Sequence, residues 1–201
     1  SRRHFPVVIT YATGHRENDA QGAGPGMYHA LWLAEQLNTA GVECYSRLMV
    51  QAGDDGDDLL VHLEGDDEME ASAVLIVLQT EAFYTDEKCL REVRAAIEGG
   101  AVIIPVRIDD SPILTDKKKQ WPVASVVGDS RKKSDHSTRR RKVQEKLGEI
   151  TGLPAQGTFF EQCEASMPEL LRLVRKEVKP TGAEKAAARE AQAKMSEDLV
   201  Q

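Results

Sequence analysis

Four short apolar runs, separated by segments of helical periodicity, constrain the fold of this 201-residue chain more than any other feature. The runs are rich in β-branched residues and lack polar alternation, which is typical of strands buried on both faces. We predict strands at Val7–Tyr11, Val42–Tyr45, Val74–Leu78 and Val102–Ile108. Because strands that alternate with helices form a parallel sheet, the sequence predicts an α/β fold with helices on both faces of one central sheet.

Helical patterns fill the intervals between the predicted strands. The first helix begins near Pro25, the second near Asp57, and the third after Thr85, which we expect to be its N-cap. Gly99-Gly100 ends the third helix, and Pro168–Val178 forms the last packed helix. The residues expected to face the core are Ala30, Leu33, Ala34 and Leu37 in the first helix, Leu59, Leu60 and Leu63 in the second, and Leu90, Val93 and Ile97 in the third.

Composition narrows the possible partners. The net charge of −7 argues against general nucleic-acid affinity, because a phosphate backbone attracts clustered Lys and Arg. We interpret the basic stretch from Arg131 to Lys142 as solvated, since no aromatic residues are interleaved for base stacking. No apolar run reaches the roughly 20 residues of a membrane helix. Three scattered cysteines favour reduced thiols and a cytoplasmic location, and no Cys/His spacing indicates a metal.

A set of residues after the third predicted strand has a distinctive spacing. Thr80, Phe83, Asp86, Lys88-Cys89 and Glu92-Val93 stand at offsets 0, 3, 6, 8–9 and 12–13. This order resembles the motif of the TIR domain family, which has Ser, Tyr, Ser, Trp-Cys and Glu-Leu there. Lys88 in the Trp position is a departure from the family.

The resemblance extends to both sides of this motif. Val8-Ile9-Thr10-Tyr11 is similar to the family's first strand, and Val102 to Val106 is similar to its fourth. It implies a flavodoxin-like three-layer sandwich of the TIR type. The TIR-like domain would cover residues 1–179, with the best match over 5–110 and a divergent part over 111–179. Residues 180–201 would form a polar tail that is helical or disordered.

The resemblance also implies a reaction. TIR domains that hydrolyse NAD+ to nicotinamide and ADP-ribose or a cyclic variant, in signalling or defence, carry an essential glutamate at the position of Glu92. A carboxylate beside the ribose can stabilise the positive charge that develops when the nicotinamide–ribose bond breaks. Two other functions stay open: a non-enzymatic TIR adaptor that acts by self-association, and another glutamate-dependent N-glycosyl transfer on a nucleotide. From the sequence we expect Glu92 to occupy an exposed helix position.

Binding residues are predicted at three places. The end of the first strand, the polar glycine-rich segment from Ala12 to Gly26 and the motif itself would surround NAD+, which is the substrate; no metal is expected. The residues expected to contact NAD+ are Thr10, Tyr11, Arg16, Gly24, Phe83 and Lys88.

Self-association is the other expectation from the family. The segment Arg47 to Asp58 matches in position the family's BB loop, which mediates assembly and can gate the site. Its apolar Leu48, Met49 and Val50 need either a partner surface or a packing site within the domain. Trp32 lies opposite the apolar stripe of the first helix, which leaves two interpretations open: an exposed side chain that anchors an interface, or a ring that lies against a neighbouring loop.

Overall fold

The computed structural model describes residues 4–12, 25–49, 58–67, 69–84, 86–108, 143 and 145–178. Its sheet has four strands: β1 (Val7–Thr10), β2 (Cys44–Ser46), β3 (Val74–Gln79) and β4 (Val102–Arg107). The strands are parallel and lie in the order β2-β1-β3-β4. The predicted α/β fold with a central parallel sheet is therefore confirmed.

The strand order determines where a ligand can enter this sheet. β1 is paired on one side with β2 and on the other with β3, so the chain reverses its direction of winding there. Parallel sheets of this kind leave a crevice at the carboxyl ends of the strands beside that reversal. Beyond β4, Leu153 forms a parallel bridge with Val106 and extends the sheet by one contact.

In the described part of the chain, the helices with defined bounds are α1 (Pro25–Thr39), α2 (Asp58–Glu64), α3 (Glu87–Glu98) and α4 (Cys163–Glu177). Two 3₁₀ turns, Arg47–Met49 and Glu81–Tyr84, follow β2 and β3. Residues 145–149 are also helical. The last helix begins at Cys163, earlier than the predicted Pro168, because its proline lies within the helix and does not start it.

The helices bury two cores, one on each face of the sheet. On one face α1 and α4 pack against β1 and β3 through Ala30, Leu33, Ala34, Leu37, Leu170 and Val174. On the other face α2 and α3 do so through Leu59, Leu63, Cys89, Leu90, Val93 and Ala96. The three layers thus arise from strands that are apolar on both faces.

The N-cap of α3 differs from the prediction. Asp86, not Thr85, caps the helix, and its Oδ1 accepts from the backbone N–H groups of Lys88 (2.8 Å) and Cys89 (3.2 Å). A carboxylate satisfies two free N–H groups and also suits the positive end of the helix dipole. The cap fixes the first turn of α3 and so the direction in which its side chains enter the site described next.

Candidate functional site

Glu92 lies in the buried face of α3, and the expectation that it is exposed is wrong. Only 3% of the residue is exposed. Cys89, Glu92, Val93 and Ala96 follow one another at i, i+3, i+4 and i+7, the spacing of a single helix face. The carboxylate is therefore held between the helix and the sheet, where a charge needs partners.

Three hydrogen bonds satisfy this carboxylate. The guanidinium of Arg47 donates twice, from Nε to Oε1 and from Nη2 to Oε2, both at 2.8 Å. The hydroxyl of Thr10 donates to Oε2. The three residues come from the end of β1, the turn after β2 and the middle of α3. They meet at the carboxyl edge of the sheet, beside the strand at which the winding reverses.

The surroundings of the carboxylate determine the protonation states of its neighbours Arg47 and Cys89. Burial opposes the charge of Arg47, but the hydrogen bond and the negative charge of Glu92 raise its pKa, so the guanidinium stays protonated. Burial, reinforced by the charges of Glu92 and Asp86, raises the pKa of the Cys89 thiol well above its usual value. Cys89 is therefore a neutral thiol that accepts a hydrogen bond from Arg47 Nη2 at 3.3 Å. It is not an activated nucleophile.

Other polar side chains end the neighbouring strands. Ser46 closes β2, and Gln79 and Thr80 end β3, each at most 2% exposed. Their side-chain polar atoms have no hydrogen-bond partner among the described residues. Because unpaired buried polar groups cost free energy, apolar residues would suit these positions better if packing alone mattered. The carboxyl edge of the sheet is thus polar at three of its strands.

The structure brings only part of the predicted binding set together. Thr10 touches Glu92, and the ring centre of Tyr11 lies 5.8 Å from the Arg47 guanidinium. Phe83 is completely buried in the core on the α2 and α3 face, so its ring is closed to a ligand in this conformation. Lys88 is exposed in the first turn of α3. Arg16 and Gly24 lie outside the described residues.

Two of the residues predicted to lie in an interface, Leu48 and Trp32, are half-buried within the domain. Leu48 is half-buried against the core on the α1 and α4 face, and the side chain of Met49 lies outside the described set. Of the two interpretations of Trp32, the structure favours a ring packed against a neighbouring segment over a fully exposed one. Trp32 is half-buried and its ring meets that of Phe160 edge-on, with centres 5.2 Å apart.

A groove runs between α1 and α4 beside this tryptophan. It encloses about 760 Å³. Its apolar lining comes from Trp32, Met167 and Leu171, and its basic rim from Arg172 and Arg175. Tyr28 and Leu31 are further exposed apolar side chains of α1. The outer surface of α1 therefore has exposed apolar side chains next to this groove.

Arg47 is the site residue that sequence reasoning missed. It stands directly after β2, where the carboxyl edge of the sheet begins, and that position was the available signal. Ser46 and Gln79 carry the same signal, since each is a polar residue that closes an otherwise apolar strand.

Together, the fold and the site define an α/β domain with a buried acid at the winding reversal of a parallel sheet. Residues 25–140 match the TIR domain family. The chain therefore belongs to the TIR domain family, as the motif after β3 indicated.

A solved structure supports the same fold. The chain is similar to the TIR domains in the structure of the activated Roq1 resistosome directly recognizing the pathogen effector XopQ, with 14% identity and a TM-score of 0.54. The match covers 87% of this chain and 99% of the other. No curated protein sequence matches the chain.

Two further findings apply to the described residues. None of their helices is both long and apolar enough to span a bilayer. Their His, Cys, Asp and Glu side chains form no group of three or more that could hold a metal ion.

Proposed function

We propose that this TIR domain hydrolyses NAD+ at the nicotinamide–ribose bond, as part of a signalling or defence response. The observation that carries the proposal is the buried carboxylate of Glu92 at the carboxyl edge of the sheet, held by Thr10 and Arg47. Family membership and the likeness to the TIR domains of an activated resistosome support the signalling context.

The chemistry follows from the charge of the site. In the reaction the C1′–N bond of NAD+ breaks, its electron pair goes to the nicotinamide nitrogen, and positive charge develops on the ribose ring. A carboxylate removed from bulk water stabilises that charge more strongly than water does. Water then bonds to C1′ and loses a proton, which gives ADP-ribose and nicotinamide. Glu92 would face the ribose and Thr10 would orient the carboxylate.

The polar strand ends give the substrate places to bind. The hydroxyl and amide groups of Ser46, Gln79 and Thr80 have no partner among the described residues. They are buried in this conformation, so they would exchange hydrogen bonds with ribose hydroxyls, phosphates or the nicotinamide carboxamide only after this edge of the sheet opens. No metal is part of this mechanism, because the chain's own residues supply the negative charge that the developing cation requires.

The test is nicotinamide release from NAD+ by wild type, Glu92→Gln and Glu98→Gln. Glu98 is the matched control, because it is an exposed glutamate on the same helix, paired with Arg94. We expect Glu92→Gln to lower turnover on the order of 100-fold or more, the usual cost of removing one electrostatic catalytic group, and Glu98→Gln to behave as wild type. Circular dichroism must show that each variant is folded at the assay temperature.

The adaptor function is the second candidate, and the groove between α1 and α4 favours it. An apolar groove with a basic rim suits pairing with another chain. If wild type releases no nicotinamide when concentrated or clustered on beads, NAD+ hydrolysis is refuted and the adaptor function gains support. If Glu92→Gln keeps full turnover in a folded protein, the assignment of Glu92 is wrong.

A further inference from the structure

The guanidinium of Arg47 occupies the place that a cationic ligand of Glu92 would need. A carboxylate offers about four lone-pair directions, and Arg47 and Thr10 already use three of them. Glu92 is 3% exposed, so its oxygens are closed to a substrate in this conformation. The described structure is therefore a state in which the candidate acid is satisfied internally.

We propose that Arg47 is an internal competitor of the substrate, which must leave Glu92 before NAD+ can engage the carboxylate. This inference rests on the proposed function. A guanidinium is planar and carries one delocalised positive charge. The ribose ring that loses nicotinamide is also flattened and positively charged. The same carboxylate attracts both cations, so the site alternates between an ion-paired state and a substrate-bound state.

The position of Arg47 allows this exchange without moving the sheet. Its side chain is 16% exposed, whereas that of Glu92 is 4% exposed, so the guanidinium has a path to water. It lies on the short 3₁₀ turn Arg47–Met49 that follows β2, and not on a strand of the sheet. When the guanidinium swings outward it is rehydrated, and the carboxylate stays in place with its hydrogen bond from Thr10.

Competition of this kind has a kinetic signature. A ligand that binds only the open state has its apparent dissociation constant raised by the inverse of the open fraction. Weakening the ion pair should therefore lower the KM for NAD+ and leave kcat nearly unchanged. If Arg47 instead took part in the chemical step, its replacement would lower kcat.

The reactivity of two buried cysteines can show whether the Arg47–Glu92 ion pair opens, and this measurement does not require NAD+ cleavage. Cys89 lies under the guanidinium on the α3 face, and Cys44 is buried on the opposite face of the sheet. Burial raises the pKa of Cys44 to about 11, and it raises that of Cys89 as well. Both thiols therefore react with a labelling reagent only when the protein opens around them. Cys163 is only half-buried and is replaced by serine in all proteins tested.

The experiment compares two proteins that both carry Cys163→Ser: one keeps Arg47 and the other has the substitution Arg47→Lys. Labelling of each thiol by a small methanethiosulfonate reagent is followed by mass spectrometry of peptides, and NAD+ kinetics are measured on the same samples. Lysine keeps the charge but cannot form the two parallel hydrogen bonds. We expect labelling of Cys89 to rise about tenfold or more while that of Cys44 stays constant, because one charge-assisted hydrogen bond is lost. The KM should fall by a similar factor, with kcat within about twofold.

Two results would overturn the proposal, and a third would separate it from the proposed hydrolysis of NAD+. Equal acceleration of both cysteines would mean that Arg47→Lys only loosens the whole fold. A fall in kcat with unchanged Cys89 labelling would make Arg47 part of the catalytic step, and either result overturns the proposal. If wild type cleaves no NAD+ but Cys89 alone responds, hydrolysis fails, whereas the opening of the Arg47–Glu92 ion pair is supported.

Discussion

Replacing Glu92 by glutamine should destabilise the domain far more than a surface substitution does. The change removes the charge that pairs with Arg47 and turns a carboxylate oxygen, an acceptor, into an amide donor that faces other donors. Breaking a buried ion pair by removing one partner costs about 3–5 kcal/mol. Because Arg47 is partly exposed and can be rehydrated, we expect the lower end, about 3 kcal/mol.

Urea unfolding followed by circular dichroism measures this difference in the free energy of unfolding. For a domain of this size, 1 kcal/mol corresponds to about 2–4 °C, so the melting temperature should fall by roughly 6–12 °C. The control is Glu98→Gln, whose exposed i,i+4 pair with Arg94 is worth only about 0.3–0.5 kcal/mol. A Glu92→Gln protein that unfolds within about 0.5 kcal/mol of wild type would show that the ion pair contributes nothing net, and the reasoning above would fail.

Three further outcomes are expected. Phe83→Ala should lower the free energy of unfolding by about 3–5 kcal/mol, because it empties a fully buried site, whereas Lys88→Ala should change it by less than about 0.5 kcal/mol; urea titration compares the two. Leu31→Asp on the exposed surface of α1 should weaken self-association in sedimentation velocity without lowering stability, and unchanged association would exclude this surface as the contact. Replacing residues 139–141 by Gln should not alter oligonucleotide retention in a filter-binding assay, and tight binding lost in that variant would contradict the prediction that the domain binds no nucleic acid.

The sheet was predictable because continuous apolar runs indicate strands that are buried on both faces. Val74–Gln79 is buried along its whole length, and such a run is stable only between two layers. The starts of the first two helices could be predicted from the residues at their N-termini. The predicted starts at Pro25 and Asp57 lie at or next to the observed ones. Strand β2 was placed less well, since only three of its residues pair with β1.

The sequence predicted which residue would be the acid of the site, but not that this acid would be buried and paired with an arginine. The motif spacing located Glu92, but two apolar stripes compete on α3, and the one through Leu90, Val93 and Ile97 leaves the glutamate outside. The stripe through Cys89 and Ala96 includes it, and the structure buries both stripes in one broad helix face. Arg47 supplies the partner that the buried carboxylate of Glu92 needs. That partner lies 45 residues away, so local periodicity contains no information about it.

The ion pair also selects one register of the sheet. β1 and β3 are apolar on both faces, so sliding one past the other by two residues would bury much the same hydrophobic surface. Only one register sets Thr10 and the end of β2 opposite Glu92 on α3. A slipped sheet would leave a buried carboxylate unpaired, at a cost of several kcal/mol. We therefore expect a Thr10→Val, Arg47→Met, Glu92→Leu variant to stay folded and yet to sample more than one arrangement, visible as extra peaks in its amide NMR spectrum. The buried cluster of Thr10, Arg47 and Glu92, which we propose for the chemistry, would then also be what selects a single register for a sheet with apolar strands.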